Sequence, residues 1–322
     1  MTREVKVLLA TEKPFAESAV GGIEQALGNS GKFTYILKRF EKYASHDALL
    51  GELHEEQPEA VIIRSDLANE KFFAANKNLK IIVRAGAGVD NIDLEAATKA
   101  GVVAMNTPGQ NSNAVAELAF GMMILHARAR FNGDSGFELR GKTLGLYGCG
   151  NVGKYMCKVG AGFGMKIVAF DPFVSNEQMQ HLGAEPVGSL TELFGSDFVS
   201  LHIPATPDTR NSINKYLLEY LPKNGVLINT ARSEVIHEDD LKEFLLHRPD
   251  FGYLSDVPLI NRDAFISALG EARFNKQVFL TPKKIGAQTA EANNNAGPAA
   301  AKQIVAFFEK GDVAFQVNKG GW

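Results

Sequence analysis

The stretch that decides the fold is KTLGLYGCGNVGKYMCKVGAGFGMKIVAFDP, residues 142–172. It opens on a short apolar run and turns through glycines spaced G-x-G-x-x-G at Gly148, Gly150 and Gly153. A helical-period segment follows, then a second apolar run, Lys166–Phe170, that ends in Asp171. A lone G-x-G-x-x-G is a weak signal. Strand, glycine turn, helix, strand and terminal acid together are the full context of a dinucleotide-binding βαβ unit. Gly148 permits the tight turn, Gly150 lets the backbone approach a pyrophosphate, and Gly153 lets helix and strand pack closely. Asn151 and Val152 open the helix, whose free amide groups and positive end suit phosphates. Asp171 stands where a carboxylate accepts hydrogen bonds from an adenine ribose and repels a 2′-phosphate, so the expected cofactor is NAD rather than NADP.

Working outward, short β-branched runs recur on both sides. Before this unit come VKVLLA (5–10), FTYIL (33–37), AVIIR (60–64), LKIIVRAG (79–86) and GVVAMN (101–106), separated by helical stretches such as Phe15–Asn29 and His46–Glu56. After it come DFVSLHI (197–203), GVLINT (225–230), GYLSDV (252–257) and QVFLTP (277–282). Runs this short, apolar on both faces and alternating with helices are parallel strands of βαβ units. The pattern restarts at residue 141, which predicts an α/β chain with two doubly wound parallel-sheet domains. Between the sets, SNAVAELAFGMMILHARAR (112–130) reads as one long apolar helix for a core or a subunit interface. The Ala-rich segment Ala290–Lys310 is helical in period and is expected to return to the first domain, because the second domain's strand set is complete.

The composition fits two domains: 322 residues, 45% hydrophobic, 22% charged. A net charge of −3 offers no basic excess for nucleic acid or an anionic membrane. The N-terminus carries no cleavage signal. The longest apolar stretch, residues 114–127, includes Glu117 and is too short to span a bilayer. The expectation is a soluble cytoplasmic protein. If Cys149 and Cys157 share one helix, they lie roughly 12 Å apart along its axis, too far to bridge, and read as structural thiols in a reducing compartment. No His/Cys set has metal-ligand spacing.

Six motifs follow one another: VRAGAGVDNID (83–93), NTPGQNSNAVAEL (106–118), GCGNVG (148–153), HIPATPDT (202–209), INTARSEVI (228–236) and LTPKKIGAQT (280–289). In this order they resemble the D-2-hydroxyacid dehydrogenase family over nearly the whole chain, and within it the branch that oxidises 3-phosphoglycerate, the first step of serine synthesis. The resemblance implies a flavodoxin-like substrate domain, residues 1–102 plus 286–322, and a Rossmann NAD domain, residues 103–285. It also implies an active site in the cleft between them and a homodimer. Ending at residue 322, the chain is expected to be a short form without a regulatory domain. Arg232 falls on the family's anchor for the substrate carboxylate. Arg64 and Ser65 fall on the loop expected to bind the substrate phosphate, with Arg84 nearby, and Asn111 on a substrate contact. His202, Thr230, Ala231 and Asp256 fall on cofactor-proximal positions.

The chain departs from that pattern twice. Family members pair a catalytic His in TPHIG with a Glu in DVFxxEP. Here the Glu position is Asn261, and the His motif meets TPKKIGAQT, one residue longer. Aligned from IGAQT the His position is Lys284; aligned from TP it is Lys283. One reading is a catalytically silent, NAD(H)-binding regulator. The other is a lysine acid–base, as in a lysine-using branch of the phosphoglycerate enzymes. A catalytic His needs a carboxylate to hold its tautomer and imidazolium. A lysine base needs the opposite, a pKa brought from about 10.4 towards 7–8. A neighbouring Glu would hold the ammonium, whereas burial, Arg232 and the NAD+ ring would disfavour it. Loss of the Glu and gain of the Lys are therefore coherent. The expected reaction is NAD-dependent oxidation of 3-phosphoglycerate at C2 with Lys284, or Lys283, as the acid–base. A hydroxypyruvate or glyoxylate reductase is the alternative enzyme.

Overall fold

The computed structural model describes residues 2–319; Met1 and residues 320–322, which the expected substrate domain included, lie outside the described residues. The chain divides into two compact units. One takes residues up to Asn111 together with those from Gln288 onward, and the other runs from Ser112 to Ala287.

The first unit contains β1 (Arg3–Thr11), β2 (Phe33–Glu41), β3 (Ala60–Ile63), β4 (Ile81–Arg84) and β5 (Val103–Asn106), all parallel, in the order β2-β1-β3-β4-β5. This is the flavodoxin-like order, reversing between β1 and β3. All four residues of β3 are buried, as a central parallel strand covered on both faces requires. On one face the helices Glu17–Gly28 and Ala290–Lys310 pack together over Val5, Val7 and Leu9. Gly22 makes that approach possible: a Cβ there would lie 2.6 Å from Cγ of Pro298. The other face is filled by Leu8, Leu49, Leu53, Phe72 and Ile82. Residues 316–318 cover the free edge of β5. Gln316 bridges Met105, the Val317 N–H donates to the Ala104 carbonyl at 2.8 Å, and Asn318 pairs with Val102 and Ala104. Because β5 pairs with β4 along its whole length, the break between units falls after Asn111, not after residue 102 as expected from sequence.

The second unit contains β6 (Thr143–Tyr147), β7 (Lys166–Phe170), β8 (Glu185–Pro186), β9 (Phe198–Leu201), β10 (Val226–Asn229), β11 (Gly252–Ser255) and β12 (Val278–Leu280), in the order β12-β11-β10-β9-β6-β7-β8. Every pairing is parallel. The order reverses between β6 and β9, so the carboxyl end of β6 opens at the switch point where ligands of such sheets bind. The two doubly wound sheets match the fold class expected from sequence. The seventh strand, β8, was not foreseen, since a two-residue edge strand with a proline carries no periodicity. No helix of the described residues is long and apolar enough to cross a membrane.

The apolar helix stops at Ala127 rather than running to residue 130. Ala129, Arg130 and Phe131 follow with φ of 47°, 55° and 57°. Left-handed backbone costs roughly 1–2 kcal/mol per residue. Arg130 offsets part of this cost, donating to the Val278 carbonyl at 2.7 Å and lying over Phe279. The cysteines also differ from expectation. Cys149 precedes the helix Asn151–Gly162 instead of riding on it, and its buried thiol meets that of Cys157. Hydrogen bonding to Cys149 and burial hold the Cys157 thiol well above its ordinary pKa. Both remain free thiols.

Candidate active site

At the carboxyl end of β6, Gly148 adopts φ +95°, and a Cβ there would lie 2.7 Å from the His202 carbonyl oxygen. The turn is thus pressed against the segment leaving β9. Gly150 caps the helix Asn151–Gly162, and a Cβ built on it meets nothing within 4 Å, which leaves space for a ligand over the turn. A Cβ on Gly153 would lie 2.8 Å from the Gly148 carbonyl, so the first helical turn packs onto the loop. Asp171 follows β7. Its Oδ2 accepts the Cys149 N–H at 2.8 Å and its Oδ1 the Phe173 N–H at 2.8 Å, which fixes the carboxylate against the glycine loop. A glycine cradle, unpaired helix amides and an adjoining acid fit the pyrophosphate and adenine ribose of NAD.

The same end of the sheet continues through His202 to β10. The His202 Nδ1 lies 3.4 Å from the Thr230 hydroxyl, while its buried Nε2 has no partner among the described residues. Burial lowers the His202 pKa to about 3, so the ring is neutral and offers Nε2 as a hydrogen-bonding atom. Thr230, Ala231 and Arg232 form the loop after β10. Asn229, fully buried, shapes it: its Oδ1 accepts the Ala231 N–H at 3.0 Å and its Nδ2 donates to the Arg232 carbonyl at 2.9 Å.

The Ala231 carbonyl oxygen then receives two cationic donors, Arg232 Nη1 at 2.9 Å and Lys284 Nζ at 3.2 Å. Those two nitrogens therefore lie no farther apart than the sum of the two distances. Lys283 is exposed and makes neither contact. Lys284 is exposed as a residue too, so the burial expected from sequence is not supplied by the described residues. The turn carrying both lysines hangs on Asp256, 2% exposed. Its Oδ1 accepts from the Thr281 hydroxyl at 2.9 Å and the Ile285 N–H at 2.8 Å, and its Oδ2 accepts the Gly286 N–H at 2.8 Å. Both carboxylate oxygens are engaged, so Asp256 holds the lysine turn in place. Asn261, expected from sequence at the position of the family's Glu, is exposed and stands at the N-cap of the helix Arg262–Leu269 with no capping bond from its side chain.

In the first unit, Arg64, Ser65 and Arg84 lie just past β3 and at the end of β4. The Arg64 guanidinium is half-buried over the Phe15 ring, donating to the Lys13 and Pro14 carbonyls at 3.3 and 3.4 Å and to Asn293 Oδ1 at 2.6 Å. Burial works against its charge and lowers its pKa. Arg84 Nε donates to the Arg64 carbonyl at 3.0 Å and Nη1 to the Gly88 carbonyl at 2.8 Å, so it braces the loop. Ser65 is exposed. Asn111 sits half-buried in the turn that ends this part of the unit.

Residues 125–282 match the family described as D-isomer specific 2-hydroxyacid dehydrogenase, NAD binding domain. A glyoxylate reductase of Thermococcus litoralis is 33% identical over 277 residues, covering 79% of this chain and 81% of that protein. The chain belongs to the D-isomer specific 2-hydroxyacid dehydrogenase family. The D-3-phosphoglycerate dehydrogenase of Methanocaldococcus jannaschii is 37% identical over 251 residues, covering 71% of this chain and 45% of that protein. The chain spans about half the length of the curated D-3-phosphoglycerate dehydrogenases it matches. Among solved structures, the NAD+-bound 3-phosphoglycerate dehydrogenase of Entamoeba histolytica is 43% identical with a TM-score of 0.84, covering 98% of this chain and 99% of that one.

In this member of the D-isomer specific 2-hydroxyacid dehydrogenase family, the matched NAD-binding domain lies wholly within the second unit, and its glycine loop and Asp171 fit the cofactor. Among the described residues, no group of three or more His, Cys, Asp or Glu could hold a metal ion. Sequence reasoning missed Asn229, the loop former beneath Arg232. The signal was present as an amide ending the apolar run VLIN, a place where a polar side chain needs partners. It also missed Asp66, whose three donors come from separate segments.

Proposed function

We propose that this chain is an NAD-dependent dehydrogenase that oxidises 3-phosphoglycerate at C2 to 3-phosphohydroxypyruvate, with Lys284 as acid–base. The observation that carries the reading is the convergence of Arg232 and Lys284 on the Ala231 carbonyl, one loop away from the His202 and Gly148 contacts of the dinucleotide turn. Arg232 binds the substrate carboxylate and polarises the C2 oxygen. Lys284 removes the C2 hydroxyl proton in oxidation and returns it in reduction. NAD, when bound, accepts the hydride from C2. Arg64 and Ser65 take the phosphate. Similarity to D-3-phosphoglycerate dehydrogenases supports that substrate. The reading includes preference for NAD over NADP, a cytoplasmic location and a homodimer, for which the exposed Phe131, Phe137 and Phe163 of the second unit offer apolar surface.

A second reading is a hydroxypyruvate or glyoxylate reductase, favoured by the relative from Thermococcus litoralis, of which the chain covers 81%, against 45% of the relative from Methanocaldococcus jannaschii. The test is turnover of NADH with phosphohydroxypyruvate and with hydroxypyruvate. Lys284→Ala should lower kcat by about 10²–10⁴ with little change in NADH binding, and Lys283→Ala far less. A larger loss in Lys283→Ala moves the role to that residue. Turnover that survives replacement of both lysines removes the lysine mechanism, and absence of turnover in the wild type favours a silent NAD(H)-binding regulator.

A further inference from the structure

The RSD segment after β3 holds a buried acid that the reading above does not use. Asp66 is 6% exposed. Its Oδ1 accepts the Glu12 N–H at 2.8 Å and the Tyr43 hydroxyl, and its Oδ2 accepts the Arg64 N–H at 3.0 Å. One carboxylate thus joins the loops that follow β1, β2 and β3. The Tyr43 ring is fixed by stacking on Phe40, centroids 5.2 Å apart at 9°. Burial, together with the Asp66 carboxylate, pushes the Tyr43 phenol pKa well up, so it remains a donor. The carbonyls on either side of Ser65 are held as well. Asn91 Nδ2 donates to the Asp66 carbonyl at 2.6 Å and the Arg64 carbonyl at 3.2 Å, and Arg84 Nε donates to the Arg64 carbonyl. Ser65, between them, is exposed, and among the described residues neither its backbone N–H nor its hydroxyl bonds to the protein. The result is a loop whose carbonyls are held on both sides of an exposed serine that can donate outward, at the carboxyl end of β3.

We propose that Asp66, with Tyr43, is a positioning residue for recognition of the substrate's phosphate: it holds the Arg64–Ser65 peptide so that the Ser65 donors and the Arg64 side chain face a dianionic phosphoryl group. This rests on the proposed phosphate role of Arg64 and Ser65. The sign of the effect separates positioning from plain electrostatics. Removing a nearby negative charge on its own would tighten binding of a dianion. Removing the acceptor that fixes the loop loosens it, because an Asn side chain cannot accept at both oxygens and its amide opposes an N–H.

The experiment measures KM and kcat for phosphohydroxypyruvate and hydroxypyruvate with NADH in the wild type, Asp66→Asn, Tyr43→Phe and Arg64→Ala. In Asp66→Asn the ratio of KM values, phosphorylated over unphosphorylated substrate, should rise about tenfold, as loss of a hydrogen bond to a charged group implies, while kcat moves little. Tyr43→Phe, which keeps the carboxylate and removes one donor, should shift the ratio in the same direction by a smaller factor, and it carries the test if Asp66→Asn fails to fold. A ratio that falls or stays level in the variants, or KM values that rise equally for both substrates, overturns the positioning role. If Arg64→Ala also leaves the wild-type ratio intact, the phosphate site itself is misassigned. If Arg64→Ala abolishes the preference while the Asp66 and Tyr43 variants keep it, only the positioning role fails.

Discussion

His126 closes the last turn of the helix Ser112–Ala127, and its ring occupies the space a side chain would fill at position 252. A Cβ on Gly252 would lie 2.6 Å from the His126 Cε1. Phe137 meets the ring edge-on at 6.1 Å. Burial, with a smaller contribution from Arg130, lowers its pKa from 6.5 to about 4. Above pH 6.5 the ring is neutral in both folded and unfolded chains, and no proton linkage acts. Below 6.5 the unfolded chain takes up a proton that the folded one refuses, so stability is lost as pH falls from 6.5 towards 4. The loss is about 1.4 kcal/mol per pH unit and about 3 kcal/mol in all. His126→Gln removes the titrating group. Urea unfolding at pH 8 and pH 5 should therefore show the wild type losing about 2 kcal/mol more than the variant over that interval. In the folded wild type, the His126 ring proton should titrate below pH 5 by NMR. Parallel losses in the two proteins, or a ring titrating near 6.5, would refute the claim that this helix end rejects the charged ring.

Two further outcomes concern the cofactor. Asp171→Ala should narrow the preference for NADH over NADPH, read from kcat/KM with each; wild-type enzyme that uses both equally would remove the role given to this carboxylate. Gly148→Ala sets a side chain at φ +95° and within 2.7 Å of the His202 carbonyl. It should weaken NADH binding, measured by calorimetry, by about 1–3 kcal/mol, with a lowered melting temperature; unaltered binding and melting would show that the turn does not need a glycine.

What could be read from the sequence was local. The glycine turn, the strand runs and the acid ending β7 are patterns within about thirty residues, and the α/β class followed from them. What could not be read depends on distant partners. Asp66 meets Glu12 and Tyr43, and Asp256 meets Thr281, Ile285 and Gly286, pairs that no periodicity announces. The lysine register rested on two alignments one residue apart, with Lys284 preferred and Lys283 close behind, because an inserted residue leaves no local pattern to fix it; in the structure the Lys284 amine reaches the Ala231 carbonyl. The cysteine distance failed because Cys149 lies one residue before the helix cap. The early end of the apolar helix reflects contacts of Arg130 that override a helical period running past it.

The first unit draws its helix Ala290–Lys310 from the far end of the chain, and that helix covers Ala19, Val20 and Ile23 of the helix Glu17–Gly28. A ribosome delivers these two helices far apart in time. At about 5–20 residues per second, the later one follows the earlier by on the order of ten to fifty seconds. Throughout that interval the apolar face around Ile23 has no cover, while the second unit, a single continuous run, emerges complete. Newly made chains therefore pass through a state in which the nucleotide-binding half can close and the other half presents a sticky surface. That surface is where chaperone engagement, or pairing between neighbouring nascent chains, would begin.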